Sequence, residues 1–188
     1  RKEWEFVEKH GIELYYYKDK NYPYRLQQCV DAPLLLYAKG EMDVNPKHIV
    51  SVVGTRMPSE RGKDWCRKLI LDLAERVPDL TVVSGLAYGI DFAAHNASLR
   101  NNIPTIAVLA HGLNTIYPAA HRNIAVEIAR NNGMLITDYR SIDAIHKGNF
   151  VARNRIVAAL CDCLVVVESA QKGGALITAG IASSYNRD

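Results

Sequence analysis

Five short runs of β-branched and aliphatic residues punctuate the chain: Ile49–Val53, Leu80–Val83, Thr105–Leu109, Met134–Thr137 and Leu164–Val167. Each is near-continuously apolar instead of alternating, the pattern of a strand covered on both faces, as in a parallel sheet. Helical patterns lie between them. Ser59 is a residue type that caps helices by accepting a backbone N–H, and after it Cys66, Leu69, Ile70, Leu73 and Val77 recur at helical spacing. Further helices are expected over Ile90–Arg100, Ala119–Arg130, Phe150–Leu160 and Ala175–Tyr185. This alternation predicts an α/β fold built on a doubly wound, mainly parallel, Rossmann-like sheet.

Residues before about Val44 follow no such rhythm. Tyr22-Pro23-Tyr24 and Ala32-Pro33-Leu34 interrupt any regular period, because proline lacks the N–H that helices and ladders use. The chain therefore divides into an N-terminal segment, 1–44, with Leu34–Tyr37 as an edge strand, and a Rossmann-like domain, 45–188. The first residue is not Met, and Tyr185-Asn186-Arg187-Asp188 lies in a helical stretch, so the chain is expected to be a fragment continuing past Asp188.

Composition changes this picture little. The 188 residues are 48% hydrophobic and 23% charged, ordinary for a globular domain. The net charge of +3 is too small to diagnose a polyanion partner, so any such surface must come from local placement of charge. No apolar run is long enough to span a bilayer, and the first residues form no signal-peptide core. The four cysteines, Cys29, Cys66, Cys161 and Cys163, form no CxxC pair and read as reduced thiols in a cytoplasmic protein.

Open α/β sheets place ligands beyond the carboxyl ends of their strands, where helix N-termini offer free N–H groups. The residues that follow each strand are therefore informative. They include Gly54-Thr55-Arg56, Ser84-Gly85-Leu86-Ala87-Tyr88-Gly89 with Asp91, Ala110-His111-Gly112, and Lys172-Gly173-Gly174. Glycines let backbone amides approach a phosphate, and a guanidinium can fork two phosphate oxygens. Gly54-Thr55-Arg56 reads equally as a tight turn with a solvated arginine, and Lys172-Gly173-Gly174 as a plain surface turn. In Phe150-Val151-Ala152-Arg153-Asn154-Arg155, two arginines in a helix's first turn would oppose its dipole, a conflict that an anion repairs. Residues two apart diverge on a helix, so one arginine is expected at a ligand and the other in an internal ion pair. Phe150 suits either a base stack or the core, and Lys147 is a weaker candidate. Walker A, GxGxxG, HExxH and paired-Cys signatures are missing, so neither a cofactor, a metal nor a catalytic residue is expected.

In order and spacing these segments resemble the DNA-processing protein A (DprA/Smf) family. The matching stretches run from Tyr22-Pro23 and Leu36–Gly40 through Val53-Gly54-Thr55-Arg56 and Ser84–Asp91 with Ala94-His95. They continue with Gly112–Pro118, Phe150 with Arg153-Asn154-Arg155, and Gly174–Thr178. The resemblance implies an extended Rossmann fold, homodimerisation, sequence-tolerant binding of single-stranded DNA without catalysis, and loading of the recombinase RecA in natural transformation. It places Arg56, Phe150, Arg153, Asn154 and Arg155 in a DNA pocket and makes Lys147 and Lys172 backbone contacts. It also makes segment 1–44 the remnant of a helical domain. Gly173 and Ala175 stand where the family usually has serines, and Ile136–Arg140 replaces a more usual Ser-Glu-Tyr-Pro. Two competitors remain. One is a nucleoside-monophosphate phosphoribohydrolase of the lysine decarboxylase-like family, although Lys172 and Leu176 break its Pro-Gly-Gly-x-Gly-Thr signature; the other is an interaction scaffold with a vestigial rim.

Overall fold

The structure is a computed structural model that describes residues 1–188. The strands are β1 (Glu13–Tyr16), β2 (Leu35–Gly40), β3 (His48–Val53), β4 (Leu80–Ser84), β5 (Thr105–Val108), β6 (Met134–Thr137) and β7 (Cys163–Val166). They form one seven-stranded sheet in the order β1-β2-β6-β5-β4-β3-β7. Pairing is parallel from β6 across to β7 and antiparallel for β1 with β2 and β2 with β6. The doubly wound α/β expectation is borne out. Every residue of β4, β5 and β6 is buried, as their continuous apolar runs require.

The helices are α1 (Lys2–His10), α2 (Tyr24–Gln27), α3 (Glu60–Arg76), α4 (Ile90–Arg100), α5 (Arg122–Arg130), α6 (Lys147–Leu160) and α7 (Gly174–Ser184). Ser59 caps α3 by accepting the Gly62 N–H at 3.0 Å. Cys66 and Ile70 of α3 are fully buried against β3, β4 and α4, the isoleucine alone contributing about 1.5–3 kcal/mol. No helix is long and apolar enough to cross a membrane.

Three local expectations need correction. The proline-flanked strand Leu35–Gly40 is not an edge: β1 covers its outer side, and Leu36 and Ala38 are fully buried. Segment 1–44 thus adds two strands to the sheet, and Tyr15, Tyr22, Leu26 and Cys29 join the same core as β3, β5 and β6. The stretch Ala119–Arg130 is divided into a 3-10 turn, Ala119–His121, and α5. Helix α6 starts at Lys147, so Arg153 and Arg155 lie beyond its first turn, and the conflict with the helix dipole inferred from sequence does not arise.

One prediction follows from the core. His95 is fully buried, its Nδ1 2.8 Å from Thr105 Oγ1, and burial, with Arg153 and His121 nearby, pushes its pKa down to about 3. The unfolded chain therefore takes up this proton near pH 6.5, while the folded chain resists it until about pH 3. Urea unfolding is expected to show stability falling as pH drops through that window, by up to about 1.4 kcal/mol per pH unit for this one group. An unchanged midpoint between pH 7 and pH 4.5 would contradict it.

Candidate nucleic-acid interface

From β3 the chain winds outward through β4, β5 and β6, then returns by α6 to place β7 on the other side of β3. Winding thus reverses between β3 and β7, and a crevice opens at their carboxyl ends, as in other doubly wound sheets. A cleft of about 270 Å³ lies there. Gly54, Thr55 and Arg56 after β3 line it, with Phe150, Arg153 and Asn154 of α6 and Gly173-Gly174 at the start of α7. Asp91, Ser169, Ala175 and Thr178 complete its polar and small-residue wall.

Backbone geometry holds the first loop. A side-chain carbon on Gly54 would lie 2.5 Å from Ile90 Cγ1, so only glycine lets this turn pass the start of α4. The Thr55 N–H donates to the Glu168 carbonyl at 2.6 Å, joining the ends of β3 and β7. The Glu168 carboxylate accepts the Ser59 N–H at 3.1 Å and the Ser59 hydroxyl at 2.9 Å. Glu168 therefore sits at the N-terminal end of α3 as an internal counter-charge. Arg56 remains exposed, its guanidinium 5.9 Å from the centroid of the Phe150 ring. That arrangement keeps the planar fork beside an aromatic face while its outer N–H groups stay free for an anion.

Arg153 differs in kind. It is buried, and one guanidinium nitrogen donates to the carbonyl oxygens of Gly85 and Val108, at the ends of β4 and β5. A side-chain carbon on Gly85 would meet Arg153 Cζ at 2.5 Å, so this glycine makes room for the guanidinium. Burial lowers the pKa of Arg153 from its ordinary value, and Asp91 opposes that shift. Asp91 mirrors it: burial raises its carboxyl pKa, while Arg153 and the Ala87 N–H, 3.3 Å away, favour the ionised form. In the floor of the cleft each group thus favours the charged form of the other, against the burial that disfavours both. By accepting the Ala87 N–H, Asp91 orders the Ser84–Gly89 loop.

The other residues singled out from sequence are placed as follows. Arg155 pairs with Asp138 at 2.5 Å, the internal ion pair expected of one of the two arginines. Ser84 is buried and donates to the Val52 carbonyl at 2.6 Å, tying β4 to β3 rather than facing the cleft. Gly85 faces a neighbouring pocket instead. Lys147 is exposed at the start of α6, and Lys172 is exposed just before the two glycines that line the cleft. Helix α7 begins with Gly173 as its N-cap, with no side-chain cap and no acid in its first turn; the Gly173 N–H donates to the Ala170 carbonyl at 2.9 Å, which leaves the Gly174 and Ala175 amides open to an anion. Sequence reasoning did not assign Ser169 or Thr178 to the site; their positions after β7 and one turn into α7 were the available signal.

A family model for DNA recombination-mediator protein A matches residues 13–188. The chain is 41% identical over 174 residues to Protein Smf of Synechocystis, covering 90% of this chain and 43% of that protein. It is 40% identical over 170 residues to DNA processing protein DprA of Streptococcus pneumoniae, covering 90% and 59% respectively. The chain thus spans about half the length of these curated relatives. Among solved structures, S. pneumoniae DprA superposes with a TM-score of 0.89 at 36% identity, over 98% of this chain and 64% of that one. DNA processing protein A of Helicobacter pylori, whose structure was described for its single-stranded DNA binding mode, superposes with a TM-score of 0.82 at 29% identity, over 94% and 78%. With the motifs, the sheet order and these likenesses in agreement, the chain belongs to the DNA recombination-mediator protein A (DprA/Smf) family.

Proposed function

We propose that this chain is the single-stranded-DNA-binding module of a DNA-processing protein, acting by binding rather than by catalysis. The observation that carries the reading is the convergence on one cleft of Arg56, Phe150, Asn154 and the Gly173-Gly174 start of α7, from three separate parts of the sequence. In this reading Arg56 forks a phosphate, and the open amides of α7 hold another. Lys172 and Lys147 add positive charge along the approach, while Phe150 and Asn154 meet the bases. Arg153 shapes the floor. Backbone contacts and stacking are indifferent to base identity, so binding is tolerant of sequence. By analogy with its family, the protein coats and protects cytoplasmic single-stranded DNA as a homodimer and helps load RecA on it during natural transformation.

Fluorescence anisotropy of a labelled oligothymidylate, titrated over a salt series, tests this. The log–log slope should be about −0.7 for each phosphate neutralised on a single strand. Arg56→Ala should reduce that slope by about 0.7 and weaken binding roughly tenfold, with the unfolding midpoint unchanged. A flat salt response, or equal affinity for duplex and single strand, would overturn the reading.

A further inference from the structure

A wide groove of about 550 Å³ lies on the half of the sheet away from the cleft, between α5, the end of β2 and the loop after β5. Strands β5 and β4 separate its β6 base from β3, where the cleft begins. One side of α5 forms its wall. Arg122, Ala125, Val126, Ala129 and Arg130 fall at i, i+3, i+4, i+7 and i+8, the spacing of a single helix face. That face is apolar in the middle and cationic at both ends. Ala125 and Leu135 are buried at the base, and Leu113 and Ile116 of the loop are half-buried, whereas Val126 is 43% exposed. Arg122 and Arg130 are both exposed, and neither takes part in an ion pair. Lys39 at the end of β2 adds a third positive charge, its Nζ held by donation to the His10 and Gly11 carbonyls at 2.7 and 3.2 Å. Glu41 is the one carboxylate in the lining.

We infer that this groove docks an acidic peptide segment of a partner protein, with one apolar side chain seated over Val126 and a carboxylate at each arginine. Arg130 follows Arg122 by eight residues of helix, a span of about 12 Å. An extended peptide rises about 3.3 Å per residue and turns alternate side chains to one face, so its residues i, i+2 and i+4 cover about 13 Å on one side. The matching motif is acid-x-apolar-x-acid. Free guanidiniums fork carboxylates, and the exposed valine gains by being covered. A nucleic acid suits the groove less well. Its lining has no aromatic ring on which a base could stack, its apolar middle offers a phosphate nothing, and Glu41 opposes the charge. Neighbouring strands stand about 4.8 Å apart, so β6 and β3 are roughly 14 Å from each other, and the groove and the cleft can be filled together.

Fluorescence anisotropy of a labelled, end-capped peptide, Gly-Asp-Ser-Leu-Ser-Asp-Gly, tests the inference on the wild-type chain, Arg122→Ala, Arg130→Ala and Val126→Ser. Two control peptides carry Asn for both acids or Ser for the leucine. Wild type should bind the first peptide saturably below about 1 mM. Each arginine variant should weaken binding about threefold to fivefold, and the neutral peptide should lose about tenfold, because it gives up both pairs. The leucine-free peptide and Val126→Ser should each lose about threefold. An arginine variant should add less to the loss already shown by the neutral peptide than it costs alone, since both delete one interaction. Arg122→Lys and Arg130→Lys should retain most of the binding. All these side chains are exposed, so unfolding midpoints should match wild type. No saturation by about 1 mM, equal binding of the neutral peptide, or arginine variants without effect would each overturn the docking site. Displacement of the peptide by oligothymidylate would also overturn it and give the groove to nucleic acid. None of these results bears on the cleft, which Arg56→Ala tests separately.

Discussion

Arg153→Ala is expected to lower the free energy of unfolding by roughly 3–5 kcal/mol, the range for removing one partner of a buried charge system. The guanidinium holds the carbonyls of Gly85 and Val108, and the substitution leaves both facing a void. It also leaves the buried Asp91 carboxyl without its nearby positive charge, so Asp91 is expected to take up a proton. Urea denaturation read by circular dichroism measures the loss. A fall below about 1 kcal/mol would mean that water or Asp91 alone satisfies these groups. DNA affinity should fall as well, but only as the Ser84–Gly89 loop loses its order. Arg56→Ala is the contrasting variant, because it removes a free surface cation and should affect affinity while sparing stability. Testing both separates a residue that builds the cleft from one that meets the ligand.

Arg25→Ala has the next largest expected effect, about 2–4 kcal/mol. Arg25 is buried in the short helix α2 and grips Asp162 with two parallel hydrogen bonds of 2.7 and 2.8 Å. It donates as well to the carbonyls of Pro46 and Lys47, each at 2.9 Å. The Asp162 carboxylate also accepts the Ile49 N–H at 2.9 Å, so one cluster joins the N-terminal segment, β3 and the turn before β7. The loss falls below the fully buried range because the Asp162 side chain is 48% exposed and water can partly replace the arginine. Burial raises the Asp162 pKa, but the bonds from Arg25 and Ile49 outweigh it and hold the carboxyl below its ordinary 3.8. The pair's contribution is therefore complete above about pH 4 and is lost as pH falls below it. The difference in stability between wild type and Arg25→Ala should narrow in that acid range, and a constant difference down to pH 2.5 would count against the pair.

The contrast between Arg56 and Arg153 shows what the sequence could and could not reveal. The five parallel strands were legible because continuous apolar runs have one common explanation, burial on both faces. The antiparallel pair was harder to read. Glu13–Tyr16 is short and rich in tyrosine, and Leu35–Gly40 follows Pro33, so neither shows which neighbours will cover it. Reading the residues beyond each strand found Arg56, Phe150, Asn154 and Gly173-Gly174, because topology alone puts strand ends on one edge. It could not give side-chain direction. Ser84 follows its strand inward, and Arg155 points to Asp138. The start of α6 was missed because Lys147-Gly148-Asn149 has the composition of a loop, although Asn149 is buried and donates to the Ala144 carbonyl at 3.1 Å. Tyr88 and Tyr117 were visible as members of motifs, but their proximity to Phe150 depends on contacts far apart in sequence, which no local pattern encodes.

The Glu168 bond to Ser59 sets the balance of charge around the cleft. One helix that points its amino end toward this edge, α3, is already neutralised from within, whereas α7 begins on bare glycines beside an exposed lysine. Fixed charge around the cleft is therefore uneven, with a carboxylate at the amino end of α3 and none at that of α7. If the cleft holds a nucleic-acid strand as proposed, its α7 side offers an approaching phosphate less opposing charge than its α3 side.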